Sequence, residues 1–373
     1  MSMANEINST HVKEKENFFL RAAKYFIPWK GDGVSEVFRK LMFIASIAVF
    51  AVSLDSLADY LRADKQELSY FEEIRSMEPD FGDGDGSSSS SRKKNTDEID
   101  TSDNQGKVTK IENPIITVEP RELQEWALPL LERNDDVVGW LKIPGIKDGN
   151  GDAIINYPVL QHESSNDYYL HHNIDGAVTD SGSIFADCVV PITLEGQANN
   201  ITLYGHNMMA GTQFAQLQKF KKGASFIKKN PLIDFNTIYE KNQKYVIIAT
   251  FIGIDGEDQD GGEGKAFDYW NYRNFTSEGH YSFETWKTNI LKYSWIESSV
   301  DFNEDDDFLT LSTCTYELGS YRTVRWVVVA KKLTVKDSLD EIVESYKDKA
   351  DKDIYFFRAW RDVYGNKKVI VGS

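Results

Sequence analysis

Short runs of β-forming residues, separated by turn residues, dominate the chain from about residue 114 onward. Their length and their content of Val, Ile, Tyr and Trp are typical of strands. The pattern predicts eight strands, near residues 137–143, 154–160, 183–187, 200–205, 232–238, 244–254, 307–313 and 324–332. Helical spacing of apolar residues predicts helices at 120–133, 213–222 and 281–292. Many short strands with few helices favour a mostly-β fold, a closed barrel or a sandwich, over a parallel α/β sheet.

A different pattern near the N-terminus is an apolar run without a charge. Residues 41–54 read LMFIASIAVFAVSL and follow Arg39 and Lys40, whose long side chains can snorkel. The run is short for a span of about 20 residues, but flanking apolar residues lengthen it, so we predict one membrane anchor over 41–61. A cleaved signal peptide and a buried soluble helix are the alternatives, and the late start of the run disfavours the signal peptide.

The charges around this run predict its orientation. Seven Lys and Arg residues lie in 1–40, against three in 55–80. By the positive-inside rule the basic N-terminal segment stays cytoplasmic and everything after the anchor lies outside. Residues 62–113 would then be an extracellular linker, flexible at 82–107, where Ile99 is the sole aliphatic residue. Such a segment cannot bury enough surface to offset its ordering entropy.

The last forty residues, 334–373, extend beyond the predicted β-rich domain at 114–333. Helical spacing from Leu339 to Tyr346 predicts a helix in them. The segments DIYFFRAW and KKVIVGS that follow could form a hairpin. We interpret this extension as packing rather than as a functional element, although it could regulate access to a site or bind a partner.

Composition excludes several classes of function. The 42 basic and 59 acidic residues give a formal net charge of −17, which repels nucleic acid, so no nucleic-acid partner is predicted. The two cysteines, Cys188 and Cys314, indicate neither a disulfide framework nor a C-x-x-C zinc site. The acidic stretches at 148–152 and 255–264 lack the glycine and glutamate positions of a calcium loop. We therefore predict no metal and no cofactor.

Candidate chemistry lies at the last two predicted strands. If 307–313 and 324–332 pair as an antiparallel hairpin, Cys314 ends one strand and Arg325 begins the next. Their side chains can then meet at one rim of the sheet. Arg322, in the connecting loop, is the weaker candidate for that place. A nucleophilic cysteine needs a base or a nearby cation, and a buried structural cysteine is the competing interpretation.

His206 is the histidine best placed to act as such a base. It follows an apolar strand directly at a glycine turn, where a rigid sheet presents a side chain to a cleft. The other histidines lie in polar, turn-rich or cytoplasmic stretches. A cysteine, a histidine and an arginine occur together in many proteins by chance, so spacing alone leaves an active site and a structural cysteine both open.

The amino-acid sequences of these segments are more specific than the spacing of the three residues. TLSTC at 310–314, YGHNM at 204–208 and RWVVVAKK at 325–332 resemble the cysteine, histidine and arginine segments of sortases, the membrane-anchored cysteine transpeptidases of Gram-positive bacteria. The sequence that precedes these motifs is similar to that of class B members in particular, in the segments NDDVVGWLKIPG, INYPVLQ, NDYYLHHN and SGSIFAD. The resemblance covers about residues 115–333, and its motifs come in the family's order.

This resemblance implies an eight-stranded sortase-type β-barrel with short peripheral helices, and a role for each site residue. Cys314 would be the nucleophile, His206 the general acid and base, and Arg325 the group that orients the substrate and stabilises the oxyanion. The residues implied to bind substrate are Tyr204, Asn207, Ser312 and Thr313. Residue 315 is Thr where some class B members carry an acidic residue, so a third carboxylate partner stays unassigned.

The implied reaction cleaves a C-terminal sorting signal of a secreted protein after Thr, through a thioacyl-enzyme intermediate. An amine of a peptidoglycan precursor or, in a pilin-polymerising relative, a pilin lysine would then accept the protein. The connection 255–306 is implied to help read the sorting signal. Alternatively, its Trp270, Tyr272 and Trp286 merely pack its helix on the barrel.

Two other functions compete with this one. Papain-like peptidoglycan endopeptidases usually place Cys before His in the chain, whereas His206 precedes Cys314 here. A non-catalytic surface adhesion or binding head would carry the same anchor and linker with a vestigial site. A protein of either sortase type would be a single-pass protein of the cell membrane with an extracellular catalytic domain.

Overall fold

The chain divides into two compact units, Met1–Tyr70 and Phe71–Ser373. The computed structural model describes residues 23–81, 121–254, 267–276, 279, 281–319 and 324–370 of them. The predicted flexible segment 82–107 lies outside the described residues.

One long helix, α1 (Val34–Ser76), begins in the N-terminal unit. Its most apolar 18-residue window has a mean hydropathy of 2.1 and is wholly unburied. Within the described part of the chain it is the one helix long and apolar enough to cross a membrane. It extends beyond the predicted anchor at both ends, because residues 34–40, predicted as part of the cytoplasmic segment, and residues 62–76, predicted as linker, are also helical. Leu, Ala, Glu, Lys and Arg, all good helix formers, dominate that stretch.

Eight strands form one sheet in the second unit. They are β1 (Val137–Lys142), β2 (Asn156–Leu160), β3 (Ile184–Ala186), β4 (Asn200–Tyr204), β5 (Leu232–Thr237), β6 (Lys244–Ile254), β8 (Phe308–Cys314) and β9 (Val324–Lys332). The order of hydrogen-bonded strands is β1-β2-β3-β4-β8-β9-β6-β5, and β1 also pairs with β5, so the sheet closes into a barrel. The β2–β3 and β4–β8 pairs are parallel and the others antiparallel.

The predicted mostly-β fold is confirmed, and each predicted strand is present within two residues of its expected bounds. The longest strand, β6, is buried at every position after Lys244, which explains its continuous apolar run. β8 is buried at every position except Cys314. The thiol therefore stands where the strand leaves the core.

The helices of the second unit are short. The α-helices are α2 (Leu128–Arg133), α3 (Tyr168–His171), α4 (Ala224–Ile227), α5 (Phe283–Tyr293), α6 (Leu339–Ser345) and α7 (Arg358–Tyr364). The 3₁₀ helices are Glu125–Ala127, Phe214–Lys222, Tyr269–Asn271 and Asp351–Asp353. The helix predicted at 213–222 is thus present in the 3₁₀ form.

The helix predicted at 281–292 is confirmed as α5. The hydroxyl of Ser282 caps its first turn by accepting from the backbone N–H of Thr285 at 3.2 Å. Trp286 and Ile290, four residues apart, are fully buried, so one face of α5 packs into the core.

The C-terminal extension folds against the barrel domain. The predicted helix is confirmed as α6, but the predicted hairpin is wrong. Trp360 and Tyr364 lie one turn apart on α7, and Trp360 is fully buried. The β-forming aromatic residues of this segment favoured a strand by propensity, whereas their three- and four-residue spacing buries them on one helical face. A short sheet forms elsewhere, between β7 (Ile296–Glu297) and β10 (Lys347–Asp348).

Candidate active site

Two parallel strands bring His206 and Cys314 to the same edge of the barrel. β4 and β8 pair in a register that sets Tyr204 beside Ser312. His206 and Cys314 each follow their partner of that pair by two residues, so both leave the sheet at the carboxyl ends of neighbouring strands. Gly205 lies between Tyr204 and His206 in the chain, and a Cβ at this position would stand 2.9 Å from the ring of Phe214.

The antiparallel pair β8–β9 brings Arg325 to Cys314. The two residues are directly opposite in the register, as the hairpin prediction expects. The Arg325 Nη1–H donates to the sulfur of Cys314 across 2.8 Å. The positive guanidinium is thus placed to stabilise negative charge on the sulfur. The alternative, Arg322, lies outside the described residues.

A cleft of about 240 Å³ opens over these three side chains. Its lining residues are Asn166, Asp167, Leu170, Phe185, Tyr204, Gly205, His206, Tyr269, Trp270, Ser312, Thr313, Cys314 and Arg325. The walls mix aromatic and polar groups.

One contact holds the backbone of His206 and another orients its ring. Its backbone N–H donates to Gln213 Oε1 at 3.0 Å, and its ring Nε2 lies 2.9 Å from the carbonyl oxygen of Leu170. Because a carbonyl oxygen can only accept, Nε2 carries a proton. Nδ1 is then the ring nitrogen available for proton exchange in the neutral form.

The four residues implied to bind substrate hold the framework of the site. The Thr313 hydroxyl donates to the carbonyl oxygen of Gly205 at 2.8 Å, and Asn207 Nδ2 donates to the carbonyl oxygen of Cys314 at 3.0 Å. Ser312 and Tyr204 line the cleft, and their hydroxyls bond to Tyr269 at 2.7 Å and to Asp187 at 3.0 Å. Their described polar contacts are therefore to the protein itself.

Comparison with known proteins identifies the family. The profile of the Sortase domain matches residues 141–333, more than half of the chain. The chain belongs to the sortase family.

Sortase B of Listeria monocytogenes is 31% identical over 213 residues, which cover 57% of this chain and 76% of that protein. Sortase B of Staphylococcus aureus is 32% identical over 202 residues, covering 54% of this chain and 72% of that protein. A 2.0 Å crystal structure of the Staphylococcus aureus protein is 28% identical, with a TM-score of 0.46, and covers 56% of this chain and 87% of that one. Sortases are cysteine transpeptidases, and these relatives belong to class B.

The sortase domain also contains polar groups that the sequence analysis did not single out. Asp187, which directly follows β3, accepts from the Tyr204 hydroxyl, and its side chain is 2% exposed. Burial and then the nearby Asp187 carboxylate raise the pKa of Tyr204. The guanidinium of Arg273 stands 3.7 Å from Asp187. An aspartate directly after a strand, in SGSIFAD, was the one signal that could have marked this network.

The aromatic residues of the connection 255–306 differ in their surroundings: two pack in the core and one lines the cleft. Trp286 and Tyr272 are buried, at 0% and 1% exposure, and pack the core. Trp270, by contrast, lines the cleft that also contains Cys314. Residues 255–266 lie outside the described part of the chain.

A buried ion pair lies under the segment that follows Cys314. The Lys221 ammonium contacts the Glu317 carboxylate, and both side chains are 3% exposed. Lys221 also donates to the Thr315 hydroxyl at 2.6 Å. Burial lowers the pKa of Lys221, and the carboxylate of Glu317 opposes that effect. A carboxylate two residues after Thr315 thus lies close to the position that carries an acidic residue in some class B members.

Proposed function

We propose that this sortase cleaves the C-terminal sorting signal of secreted proteins and transfers them to a cell-wall amine, with Cys314, His206 and Arg325 as its reacting groups. The observation that carries the proposal is the 2.8 Å contact of Arg325 Nη1 with the Cys314 sulfur, in a cleft that His206 also lines. Cys314 occupies the one position of β8 that is not buried, and its sulfur lies at hydrogen-bond distance from a guanidinium. Both features favour a reactive thiolate over a cysteine that only packs in the core.

The first half of the reaction forms a thioester. The Cys314 thiolate attacks the carbonyl carbon of the signal's Thr residue, and Arg325 donates to the oxyanion that develops. His206 starts this half protonated on both ring nitrogens; as the C–N bond breaks it gives one proton to the departing amine and becomes neutral, so that the downstream peptide leaves as a neutral group. The upstream protein stays bound to the sulfur.

The second half resolves the thioester. An amine of a peptidoglycan precursor attacks the thioester carbonyl, His206 removes a proton from it, and Cys314 leaves as thiolate. Cys314 thus ends as thiolate and His206 protonated, which are their starting states, so the cycle closes.

The proposed topology places this reaction at the membrane surface. With α1 as a single-pass anchor and the basic residues 1–40 in the cytoplasm, the barrel domain lies outside, where exported substrates emerge. The proposed domains are the cytoplasmic segment, the anchor at 41–61, the linker 62–113, the catalytic barrel 114–333 and the extension 334–373.

A peptide panel tests the proposed function. Purified protein is incubated with peptides that carry different sorting signals, each with either a cross-bridge amine or a lysine-containing pilin peptide as acceptor. The expected result is a product joined after Thr to the cross-bridge amine, absent with the Cys314→Ala variant. Joining to the pilin lysine alone would support polymerisation instead, and equal behaviour of wild type and variant on every peptide would leave a binding head.

A further inference from the structure

The C-terminal extension begins where the match to the sortase domain ends, at residue 333. It is fastened to the barrel domain at several places. The Tyr346 hydroxyl donates to the carbonyl oxygen of Ile247 on β6 at 2.6 Å. Asp348 Oδ1 accepts from the backbone N–H of Ala224 at 2.8 Å, in the space that a Cβ at Gly223 would fill. The extension is therefore an integral part of the folded domain.

Its last helix, α7, reaches the segment that leaves the cysteine. The hydroxyl of Tyr364, the final residue of α7, donates to the backbone carbonyl oxygen of Glu317, three residues after Cys314. The Glu317 carboxylate is held in turn by Lys221 and by the Thr315 hydroxyl. The backbone and the side chain of Glu317 are thus each held by a separate set of partners.

This anchoring extends to the pairing of Cys314 with Arg325. The backbone N–H of Thr315 donates to the carbonyl oxygen of Val324 at 3.0 Å, which continues the β8–β9 ladder one step beyond the cysteine. Thr315 follows Cys314 and Val324 precedes Arg325, so a displacement of Thr315 would act on both residues of the sulfur–guanidinium contact.

Aromatic rings form a second connection between α7 and β9. The ring centroid of Trp360 on α7 lies 4.8 Å from that of Tyr364 and 6.3 Å from that of Trp295. The Trp295 ring in turn makes an edge-to-face contact with Trp326, with 5.0 Å between the ring centroids. Trp326 follows Arg325 directly in the chain, and the Lys221 ammonium lies 5.3 Å from its ring centroid. Both branches, hydrogen-bonded and aromatic, converge on the two strand ends that carry the site.

We propose that Tyr364 is a positioning residue for the Cys314–Arg325 pair, so that the extension beyond the sortase domain sets the reactivity of the cysteine. This inference rests on the proposed function only for its effect on transpeptidation, because the reactivity of the thiol can be measured without any sorting signal.

Tyr364→Phe is the perturbation that isolates this role. It removes one hydroxyl and keeps the ring against Trp360. The carbonyl of Glu317 then loses its donor, and residues 315–317 can shift away from the geometry that holds the guanidinium on the sulfur. Loss of one hydrogen bond predicts an approximately two- to tenfold decrease in the rate of Cys314 modification.

The experiment uses the full chain and three readouts. Alkylation of Cys314 by iodoacetamide is followed by peptide mass spectrometry, which separates it from Cys188. Peptide cleavage gives kcat and KM, and thermal unfolding gives stability. Tyr355→Phe is the matched control, because that ring belongs to the same extension, its centroid lies 5.0 Å from that of Tyr293, and its described contacts, with Tyr293, Lys292 and Arg361, do not include Glu317.

The expected result for Tyr364→Phe is slower alkylation of Cys314 and a lower kcat with KM unchanged, while the Tyr355→Phe protein behaves as wild type. A variant that unfolds more easily but alkylates and turns over like wild type would overturn the proposal, as would equal effects of both substitutions. If wild type cleaves no peptide and Tyr364→Phe still slows alkylation, the proposed function fails and the positioning role stands.

Discussion

Replacing Arg325 is the most informative single substitution at the site. Its guanidinium donates to the Cys314 sulfur at 2.8 Å, and we propose that it donates to the oxyanion during attack. A hydrogen bond to a charged group contributes about 1.5–3 kcal/mol, and loss of one oxyanion donor costs other enzymes about 2.7–4 kcal/mol. At about 1.4 kcal/mol per factor of ten, Arg325→Ala should lower kcat by about 10²–10³-fold.

Because this donor acts mainly on the transition state, KM should change little. Arg325→Lys should give an intermediate rate, since an ammonium keeps the charge but lacks the planar fork of donors. The assay is steady-state cleavage of a fluorogenic sorting-signal peptide, with circular dichroism to show that each variant is folded.

Arg322→Ala is the matched control for this experiment, since Arg322 was the second candidate for the same role. We expect it to retain a rate close to that of wild type. A folded Arg325→Ala protein with wild-type kcat, or a greater loss in Arg322→Ala than in Arg325→Ala, would refute the assignment.

Two further predictions concern stability. Lys221→Met leaves the Glu317 carboxylate buried without its cation and should lower the free energy of unfolding by about 3–5 kcal/mol, measured by urea denaturation; a loss below about 1 kcal/mol, the range of surface pairs, would contradict the described burial. Burial alone would raise the pKa of Asp337, but hydrogen bonds from Lys331 and Thr334 lower this pKa below its ordinary value of 3.8. The ionised carboxylate therefore stabilises the fold above pH 3.8, and this stabilisation is lost as the pH falls through the pKa of the folded state. Asp337→Asn should therefore be less stable than wild type at pH 7, with the difference shrinking below about pH 4; a pH-independent difference would count against this reasoning.

The strands and α5 could be predicted from the sequence because their apolar runs and turn residues are local signals. The outcome for α7 shows where such signals fail. Tyr, Phe and Ile favour strands by propensity, but Trp360 is fully buried, against Trp295, only as part of a helix. The partner surface lies more than sixty residues away in the chain, so no local pattern could reveal it.

The site was predictable to a similar extent. Arg325 opposite Cys314 follows from a short hairpin, which is local. The placement of His206 does not, because it depends on parallel pairing of β4 with β8 across more than a hundred residues. Its position after an apolar strand at a glycine turn made His206 the best candidate among the histidines, and the resemblance of its motif to the family's histidine segment indicated that it acts together with Cys314. The Lys221–Glu317 pair depends on the same long-range packing and carries no sequence signal of its own.

The central claim is that Cys314 forms a covalent thioacyl intermediate with the sorting signal. Protein is mixed with a signal peptide in the absence of an acceptor amine, quenched in acid, and analysed by mass spectrometry of its peptides. The account predicts a mass increase on the Cys314 peptide equal to the signal fragment ending in Thr, lost on addition of hydroxylamine and absent from Cys314→Ala. An adduct on another residue, or product formation by Cys314→Ala at the wild-type rate, would contradict it.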